Sequence, residues 1–399
     1  MTILPSFPIA SPKKLIYTHI ARQGVTSKAE LMPLSGMTSS SLTRLLEEMV
    51  ADKLLITGYG PSSGGRRPIL YEVNADYGYF FGLDISRRTS TLGFFDAKMN
   101  SKALLRWRMD EAMTPEALID YVVLNIRSIM LDHHIQPHQV VGIGIGAVGP
   151  LDRKTGVIIE PSNFPARGWN QVPICKLLEE RTGIASRLGN GADAALIGEH
   201  WSMRSENLQH MLYVHAGVGL RSAMMSGGHI VHGSVDMEGA VGQMIIQMDG
   251  PRLHDHGNYG AWEALASVQA LEKRARAVAK TGRADIPGAG QVPPERLTYD
   301  VLLQGLHSGN AYAREIFTQS AVCFGIGLAN LINVLHPESI VLGGPLINSH
   351  ELYFQTAIDT AKRNIYYYPD YVPSFSKGKL QEDAVAVGSA MMVWSNMVV

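Results

Sequence analysis

The fold of the N-terminal segment is decided by residues 27–49, which read SKAELMPLSGMTSSSLTRLLEEM. Ser27, with Glu30 three residues later, forms a capping box, the pattern that begins a helix. This helix is predicted to end at Ser35-Gly36. Thr38 begins the next helix, whose apolar residues recur at helical spacing on one face: Leu42, Leu45, Leu46, Met49 and Val50. Together with a preceding helix over 13–23, started by Ser11-Pro12, the pattern indicates a helix-turn-helix.

The polar residues of this segment are candidates for DNA contact. The second helix of a helix-turn-helix enters the major groove, where its first two turns meet the bases. Small hydroxyl side chains there allow the helix backbone to approach closely. We therefore expect double-stranded DNA to be contacted by Ser27, Lys28, Thr38, Ser39, Ser40, Thr43 and Arg44. The alternative is a small helical module that docks onto another protein.

Two strand-like runs, Leu54–Gly58 and Ile69–Val73, follow the helices and predict a β-hairpin wing. The loop between them contains glycines and the pair Arg66-Arg67, which are predicted to reach phosphates or a narrow minor groove. A solvated surface loop is the alternative. Residues 1–75 carry eight Lys and Arg against five Asp and Glu, whereas the whole chain has a net charge of −1. The charge asymmetry favours an anionic partner for the N-terminal segment.

The composition of the whole chain excludes several classes of protein. The chain has 399 residues, of which 46% are hydrophobic and 18% charged, so it is neither disordered nor fibrous and is expected to have two or three domains. Cys175 and Cys323 are its two cysteines, too few for a disulfide scaffold. No signal peptide is apparent, and the longest uncharged apolar stretch, 324–335, is too short for a bilayer. A cytoplasmic protein with no membrane partner is expected.

From Tyr79 onward, strand and helix signals alternate with many glycines. A strand–glycine turn–strand unit occurs twice, at 82–96 and at 214–226. This order predicts an α/β body of two related lobes with a cleft between them. The predicted boundaries are 1–77 for the DNA-binding domain, 78–190 with 384–399 for the first lobe, and 191–383 for the second.

Several motifs, in this order and spacing, resemble the ROK family and, within it, the Mlc/NagC type of sugar-responsive repressor. Residues 24–31 and 42–49 follow that type's helix-turn-helix, and Gly65-Arg-Arg-Pro68 follows its wing. Residues 161–169 (PSNFPARGW), 257–263 (GNYGAWE) and 336–344 (HPESIVLGG) resemble body motifs. The resemblance implies a winged helix-turn-helix fused to a sugar-kinase-like body of the actin-like ATPase fold.

The resemblance also implies an effector site, in which Asn163, Asn190 and Glu263 match sugar-binding positions. The family's Glu-x-Gly-His element corresponds to residues 240–243, AVGQ, which have lost both the Glu and the His. Because buried hydroxyl groups without partners are costly, the usual hexose is expected to bind poorly. A different polyol, a sugar phosphate meeting Arg87 or Arg221, or no ligand at all remain open.

The kinase motifs have changed in ways that remove the chemistry. The first phosphate loop of the family, Asp-x-Gly-Gly-Thr, corresponds to residues 84–89, DISRRT, and the second, 215–221, is half preserved. The catalytic base of the family falls on Gly191, which has no carboxylate to accept a proton. Asp193 lies about 200° further round the helix and is a poor substitute. No catalytic residue, no enzymatic activity and no cofactor are therefore expected.

A structural zinc ion is implied by the family but not by these residues. The ligand positions correspond to Gln243, Ala261 and the residues around His254-Asp-His256. Two imidazoles alone do not complete a tetrahedral site, so no metal is expected and the residues are interpreted as a polar surface loop. A weak site from His254, Asp255 and His256 is the alternative.

These observations predict a sequence-specific transcriptional regulator, a repressor of carbohydrate-related genes controlled by a sugar-like effector in the cleft. Because the symmetry of a helix-turn-helix dimer is mirrored in its operator, we expect a near-palindromic site and a homodimer or tetramer. Two alternatives remain: a ROK sugar kinase with an attached regulatory domain, and a regulator controlled by a protein partner.

Overall fold

The N-terminal segment folds as three helices beside a small antiparallel sheet. The computed structural model describes residues 11–61, 67–282, 285–287, 292–366 and 370–397. The first elements are α1 (Pro12–Gln23), β1 (Thr26–Ser27), α2 (Lys28–Ser35), α3 (Ser39–Ala51), β2 (Leu55–Tyr59) and β3 (Ile69–Val73). Strand β3 lies between β1 and β2 and runs antiparallel to both.

The capping hydrogen bonds predicted at the starts of α2 and α3 are present. The Ser27 hydroxyl accepts the backbone N–H of Glu30 at 3.4 Å, and the Glu30 carboxylate accepts the backbone N–H of Ser27 at 2.6 Å. The Thr38 hydroxyl accepts the N–H of Ser41 at 3.3 Å and caps α3. The apolar face of α3 is confirmed, because its fully buried residues are Leu42, Leu46 and Met49. Arg66 and the rest of 62–66 lie outside the described residues, so the predicted tip of the hairpin is not described.

The first sheet of the body has the order β10-β7-β4-β5-β6. Its middle strand β4 pairs parallel with β7 and antiparallel with β5. The elements of this part are β4 (Tyr79–Ile85), β5 (Thr89–Phe95), β6 (Ser101–Arg108), α4 (Pro115–Asp132), β7 (Val140–Ala147), β8 (Leu151–Asp152), β9 (Val157–Ile158), α5 (Ile174–Thr182), β10 (Ser186–Asn190) and α6 (Gly191–Ser202).

The second sheet repeats this arrangement with the order β13-β12-β11-β14-β15. Strand β11 pairs antiparallel with β12 and parallel with β14. The remaining elements along the chain are β11 (Met211–Ala216), β12 (Leu220–Ser226), β13 (His229–Ile230), α7 (Trp262–Ala266), α8 (Val268–Ala279), α9 (Tyr299–His307), α10 (Ala311–Leu335), β14 (Ser339–Gly343), α11 (Pro345–Asn348), α12 (Glu351–Asn364), β15 (Ser374–Ser376) and the C-terminal helix α13 (Ala384–Trp394). The two predicted strand–turn–strand units are β4–β5 and β11–β12.

The C-terminal helix α13 lies directly on the first sheet. An ideal Cβ at Gly82 of β4 would come within 1.9 Å of the Ala386 carbonyl oxygen, and one at Gly144 of β7 within 1.7 Å of the Ser389 carbonyl oxygen. Only glycine permits this approach of helix to strand. The helix therefore joins the first half of the body, although it is more than 180 residues further along the chain. The exact domain boundaries at 77, 190 and 383 stay predictions.

Helix α10 corrects the expectation that no apolar segment of the chain is long enough to cross a bilayer. Within the part of the chain that the structure describes, this 25-residue helix is long and apolar enough to cross a membrane by length and composition. It is longer than the uncharged stretch 324–335 because it continues back past Arg314 and Glu315. Its apolar residues are accounted for by packing, since the hydrophobic core beside the second sheet includes Phe317, Phe324 and Leu328.

Candidate functional site

Two adjoining cavities lie between the two halves of the body. The first has a volume of about 310 Å³ and is lined by residues from the ends of both sheets, among them Asp84, Arg88, His215 and Gly191. The second, of about 460 Å³, is lined by Asn163, Asp236, Gln243, His254, His256 and Glu263. Arg87 and Arg221 line both cavities, so the two guanidinium groups stand where the cavities meet.

The structure brings two of the predicted effector-binding residues, Asn163 and Glu263, to one cavity. The Glu263 carboxylate is held in place by the backbone N–H of Leu220, which donates to Oε2 at 2.9 Å. An ideal Cβ at Gly219 would lie 2.4 Å from that oxygen, so glycine is needed for the carboxylate to enter. Both side chains are available to hydroxyl groups of a ligand in the second cavity.

Asn190 lies behind the wall of this cavity. Its Oδ1 accepts the N–H of Ala192 at 2.8 Å and caps α6, and its Nδ2 donates to Asp236 Oδ1 at 2.9 Å. Asp236 lines the cavity in its place. Asp236 could not be predicted from the sequence, because residues 231–237 carry no recognisable motif. Its role depends on the fold of a loop far from Asn190 in the chain.

Gly191 occupies the first position of α6, beside a guanidinium group. An ideal Cβ there would lie 3.2 Å from Arg221 Nη1 and 3.5 Å from the Ala147 carbonyl oxygen. Arg221 is buried, with a relative exposure of 8%. The position to which the resemblance assigns a catalytic carboxylate therefore carries no side chain and lies against the guanidinium group of Arg221.

The Asp193 carboxylate forms an ion pair with Arg153. Its Oδ2 accepts Arg153 Nη2 at 2.9 Å and lies 3.4 Å from His232 Nδ1. The same Arg153 also pairs through Nε with Asp236. Arg153 thus links α6 of the first half of the body to the loop before residue 238. We call Arg153, Asp193 and Asp236 the interlobe ion-pair cluster.

The electrostatics of the first cavity are shaped by its arginines. Desolvation, together with the positive charges of Arg221 and Arg87, lowers the pKa of His215 well below its ordinary value of 6.5. His215 is therefore neutral at neutral pH. Arg88, which also lines the first cavity, forms an ion pair with Asp300, with its Nη2 3.1 Å from Asp300 Oδ1.

The described residues contain no group of three or more His, Cys, Asp or Glu side chains that could hold a metal ion. His254 and His256 are exposed, as expected for a polar surface loop, and they also line the second cavity. The reason is that the chain before α7 folds back over the cleft, as Asn258 donates to the Gln243 carbonyl oxygen at 2.9 Å. Asp255 remains exposed and lies 3.5 Å from Arg252.

The predicted DNA-contacting residues lie at the start of α3 and beside it. Lys28 Nζ donates to Ser39 Oγ at 2.8 Å and also to Thr43 Oγ1. Ser40 and Arg44 are exposed. Ser27 and Thr38 use their hydroxyls as helix caps. A groove of about 710 Å³ runs between the helices and the hairpin, and it is lined by Ser27, Lys28, Thr43, Tyr59 and Arg67, with Glu47 among its other residues.

The model of the ROK family matches residues 80–396, and the chain belongs to this family. Among curated relatives, the chain is similar to a putative xylose repressor from Caldicellulosiruptor sp. (strain Rt8B.4), with 26% identity over 402 residues that cover 96% of each chain.

Two solved structures show the same architecture. One is a ROK family transcriptional regulator, a homologue of the E. coli MLC protein, with a TM-score of 0.76, 17% identity and 96% of each chain covered. The other is a ROK hexokinase from Thermus thermophilus, with a TM-score of 0.62 and 26% identity. The match covers 97% of the hexokinase but 78% of this chain.

Proposed function

We propose that this protein is a sequence-specific DNA-binding repressor of carbohydrate-related genes, controlled by a sugar-like effector in the cleft. One observation carries the proposal. Similarity to a xylose repressor from Caldicellulosiruptor bescii spans 96% of this chain, whereas 97% of the hexokinase matches 78% of it and the family model begins at residue 80. The additional part is the N-terminal segment, and this is the part with the α2–turn–α3 arrangement.

The N-terminal segment has the features of a winged helix-turn-helix. Helix α3 begins with exposed Ser39 and Ser40, and Arg44 is exposed one turn further on. In this motif the start of the second helix reads base edges in the major groove. Strands β2 and β3 correspond to the wing, and we propose that Arg67, which follows the predicted tip of the hairpin, meets DNA phosphates together with Arg66.

Lys28 places a positive charge at the start of α3, where DNA contact is proposed. Its ammonium group crosses from α2 and donates to the hydroxyls of Ser39 and Thr43. The positive charge is thereby held at the helix start and not on a mobile surface chain. A phosphate of the DNA backbone lying near this point would gain a fixed cationic partner.

The body supports binding of a sugar-like effector without its phosphorylation. Asn163 and Glu263 face one cavity, Gly191 lacks a carboxylate, and Asp193 is paired with Arg153. Such a body has no group at position 191 to accept a proton from a hydroxyl. Because two helix-turn-helix segments would read two half-sites, the proposal includes a homodimer or tetramer, a near-palindromic operator and a cytoplasmic location.

The proposal is tested by selecting genomic DNA fragments with purified full-length protein at one fixed, near-physiological salt concentration, followed by sequencing. We expect one near-palindromic motif near genes of carbohydrate metabolism. The Arg44→Ala variant should lose the motif, whereas Arg314→Ala, an exposed arginine on α10, should retain it. Equal recovery of fragments by wild type and Arg44→Ala would contradict sequence-specific binding through α3.

A further inference from the structure

We propose that Glu199 fixes the hinge between the two halves of the body, and that this hinge connects the cleft to the DNA-binding segment. This inference rests on the proposed function, in which the N-terminal segment reads DNA under control from the cleft. It assigns the connection between the two sites to one buried side chain and to residues 379–381, which we call the hinge segment.

The chain passes between the two halves of the body twice. The first crossing, residues 203–210, leads from α6 to β11, and the second crossing, residues 377–383, leads from β15 back to α13. Helices α6 and α13 pack against each other so closely that an ideal Cβ at Gly388 would overlap the Ala194 carbonyl oxygen. Hinges in proteins are formed by a few residues in loops or at the ends of elements. A change in the opening of the cleft must therefore be accommodated by the two crossings.

The Glu199 carboxylate, near the end of α6, holds the second crossing by three backbone hydrogen bonds. Its Oε2 accepts the N–H of Lys379 at 2.8 Å. Its Oε1 accepts the N–H groups of Leu380 and Gln381, each at 3.0 Å. Glu199 is buried, with a relative exposure of 1%, and a buried carboxylate is costly unless its oxygens are hydrogen-bonded. The three bonds therefore fix the position of the hinge segment on α6.

The two crossings are also joined to each other. Lys379 of the second crossing forms an ion pair with Glu206 of the first, with Nζ 2.9 Å from Oε1. The far end of the first crossing is anchored in the second half, where Glu338 Oε2 accepts the N–H groups of Gln209 at 2.7 Å and His210 at 2.8 Å. Movement between the halves is thereby directed to the residues beside Glu199.

The hinge segment contacts both the cleft and the core beneath the DNA-binding segment. Gln381 lines the first cavity. Leu380, its neighbour in the chain, packs against the hydrophobic core that contains Tyr17 of α1 and Trp394 of α13. Because Glu199 holds the N–H groups of both residues, a displacement at the cavity is passed to this core within one residue.

The DNA-binding segment is joined firmly to the first half of the body. Its buried residues form one hydrophobic core with residues of β4, β5 and α13. The linker between β3 and β4 is bonded on both sides, since the Asn74 N–H donates to the Leu54 carbonyl oxygen and the Ala97 N–H donates to the Ala75 carbonyl oxygen, each at 3.0 Å. A movement at the hinge therefore turns the DNA-binding segment and the first half together relative to the second half.

The test measures hydrogen exchange of the full-length protein by mass spectrometry, with and without a DNA duplex that carries the motif recovered by selection. Coupling between two sites is reciprocal, so binding of the operator must change the hinge if the hinge connects DNA to the cleft. We expect the operator duplex to slow exchange in residues 376–383 of the wild type by about threefold or more, and a scrambled duplex to have no effect. In Glu199→Gln this effect of the operator should be lost.

The free protein provides a second readout. Glu199→Gln keeps the shape of the side chain but places an amide donor against backbone N–H groups. It should speed exchange of residues 379–381 and of α1 by about tenfold while leaving α4 unchanged. The matched control is Glu179→Gln on α5, which removes a carboxylate that accepts the Ser186 N–H at 2.7 Å and should change neither region.

Because Glu199→Gln can fail to fold, Lys379→Met provides a milder variant that removes only the ion pair with Glu206. It should produce the same changes in exchange to a smaller extent.

The inference is overturned if the operator binds the wild type without changing exchange in residues 376–383, or if both hinge variants keep the wild-type response. It is also overturned if Glu199→Gln speeds exchange of α4 as much as that of α1, the result expected from a general loss of stability. Failure of the wild type to select any DNA motif refutes the proposed function instead. In that case, exchange in the free variants still decides whether Glu199 connects the hinge to α1.

Discussion

The rings of Tyr17 and Trp394 lie 5.6 Å apart, so the first helix of the DNA-binding segment rests on the last helix of the body. Trp394 also packs against Trp201, with ring centroids 5.4 Å apart, and donates its indole N–H to the Ala97 carbonyl oxygen at 2.8 Å. Trp201 stands near the end of α6, whose first residue lines the cleft between the two halves of the body. Twelve helical residues span about 18 Å. Helix α6 therefore connects the cleft to the contact on which the DNA-binding segment rests.

Replacement of Trp394 by alanine should destabilise the protein by about 3–5 kcal/mol, because it leaves a large cavity between buried aromatic rings. The free energy of unfolding in urea measures this loss. Tyr366→Ala is a suitable control, since Tyr366 is 84% exposed and its removal should change the stability by less than about 0.5 kcal/mol. Equal stability of the two variants would mean that the Trp394 contact does not hold the segments together.

Arg44 and Arg67 should affect DNA binding in different ways. Arg44→Ala removes a side chain at the reading helix and should cost about 1–3 kcal/mol of specific affinity while relaxing the sequence preference. Arg67→Ala should weaken all sequences similarly and reduce the dependence of log K on log salt by about one. Fluorescence anisotropy with operator and scrambled DNA at several salt concentrations distinguishes the two. The same pattern from both variants would contradict the assignment of base and phosphate contacts.

Removal of Arg153 should weaken the interlobe ion-pair cluster. Without the guanidinium, the carboxylates of Asp193 and Asp236 lose their shared partner, and we expect a loss of about 1–3 kcal/mol, because Arg153 is partly exposed. Chemical denaturation of Arg153→Met measures the loss. Adding Asp236→Asn should restore part of the stability by removing one unpaired charge. In Arg181→Met, which breaks an exposed pair with Asp120, the loss should stay below about 1 kcal/mol.

His215 should make the stability depend on pH. Because its folded-state pKa is lowered, the unfolded chain binds the proton more readily. The contribution of His215 to the free energy of unfolding is therefore complete above about pH 6.5, the pKa of a histidine in the unfolded chain. It decreases as the pH falls below that value. Urea unfolding between pH 5 and pH 8 should show a weaker pH dependence for His215→Gln than for the wild type. His138→Gln, at an exposed histidine, is the control, and an unchanged slope in His215→Gln would refute the prediction.

Local structure was predictable wherever a few neighbouring residues decide it. The capping box of Ser27 and Glu30, the cap at Thr38 and the buried face of α3 all follow from side chains within one or two helical turns. Strand and helix signals were predicted to alternate from Tyr79 onward, and β4 begins at that residue. The elements β6, α8 and α12 were not predicted, although β6 alternates between exposed and half-buried residues and the buried residues of α8 and α12 recur at helical spacing.

By itself, the sequence determined the helix-turn-helix pattern, the duplicated strand units, the family and the absence of a carboxylate at Gly191. Only the tertiary structure decided which distant residues meet. It placed Arg221 beside Gly191, Asp236 in front of Asn190, and Trp394 between Tyr17 and Trp201. Helix caps and apolar periodicity arise within a few residues along the chain. The sign of the charge at the end of a cleft depends on how two sheets and the loops between them pack.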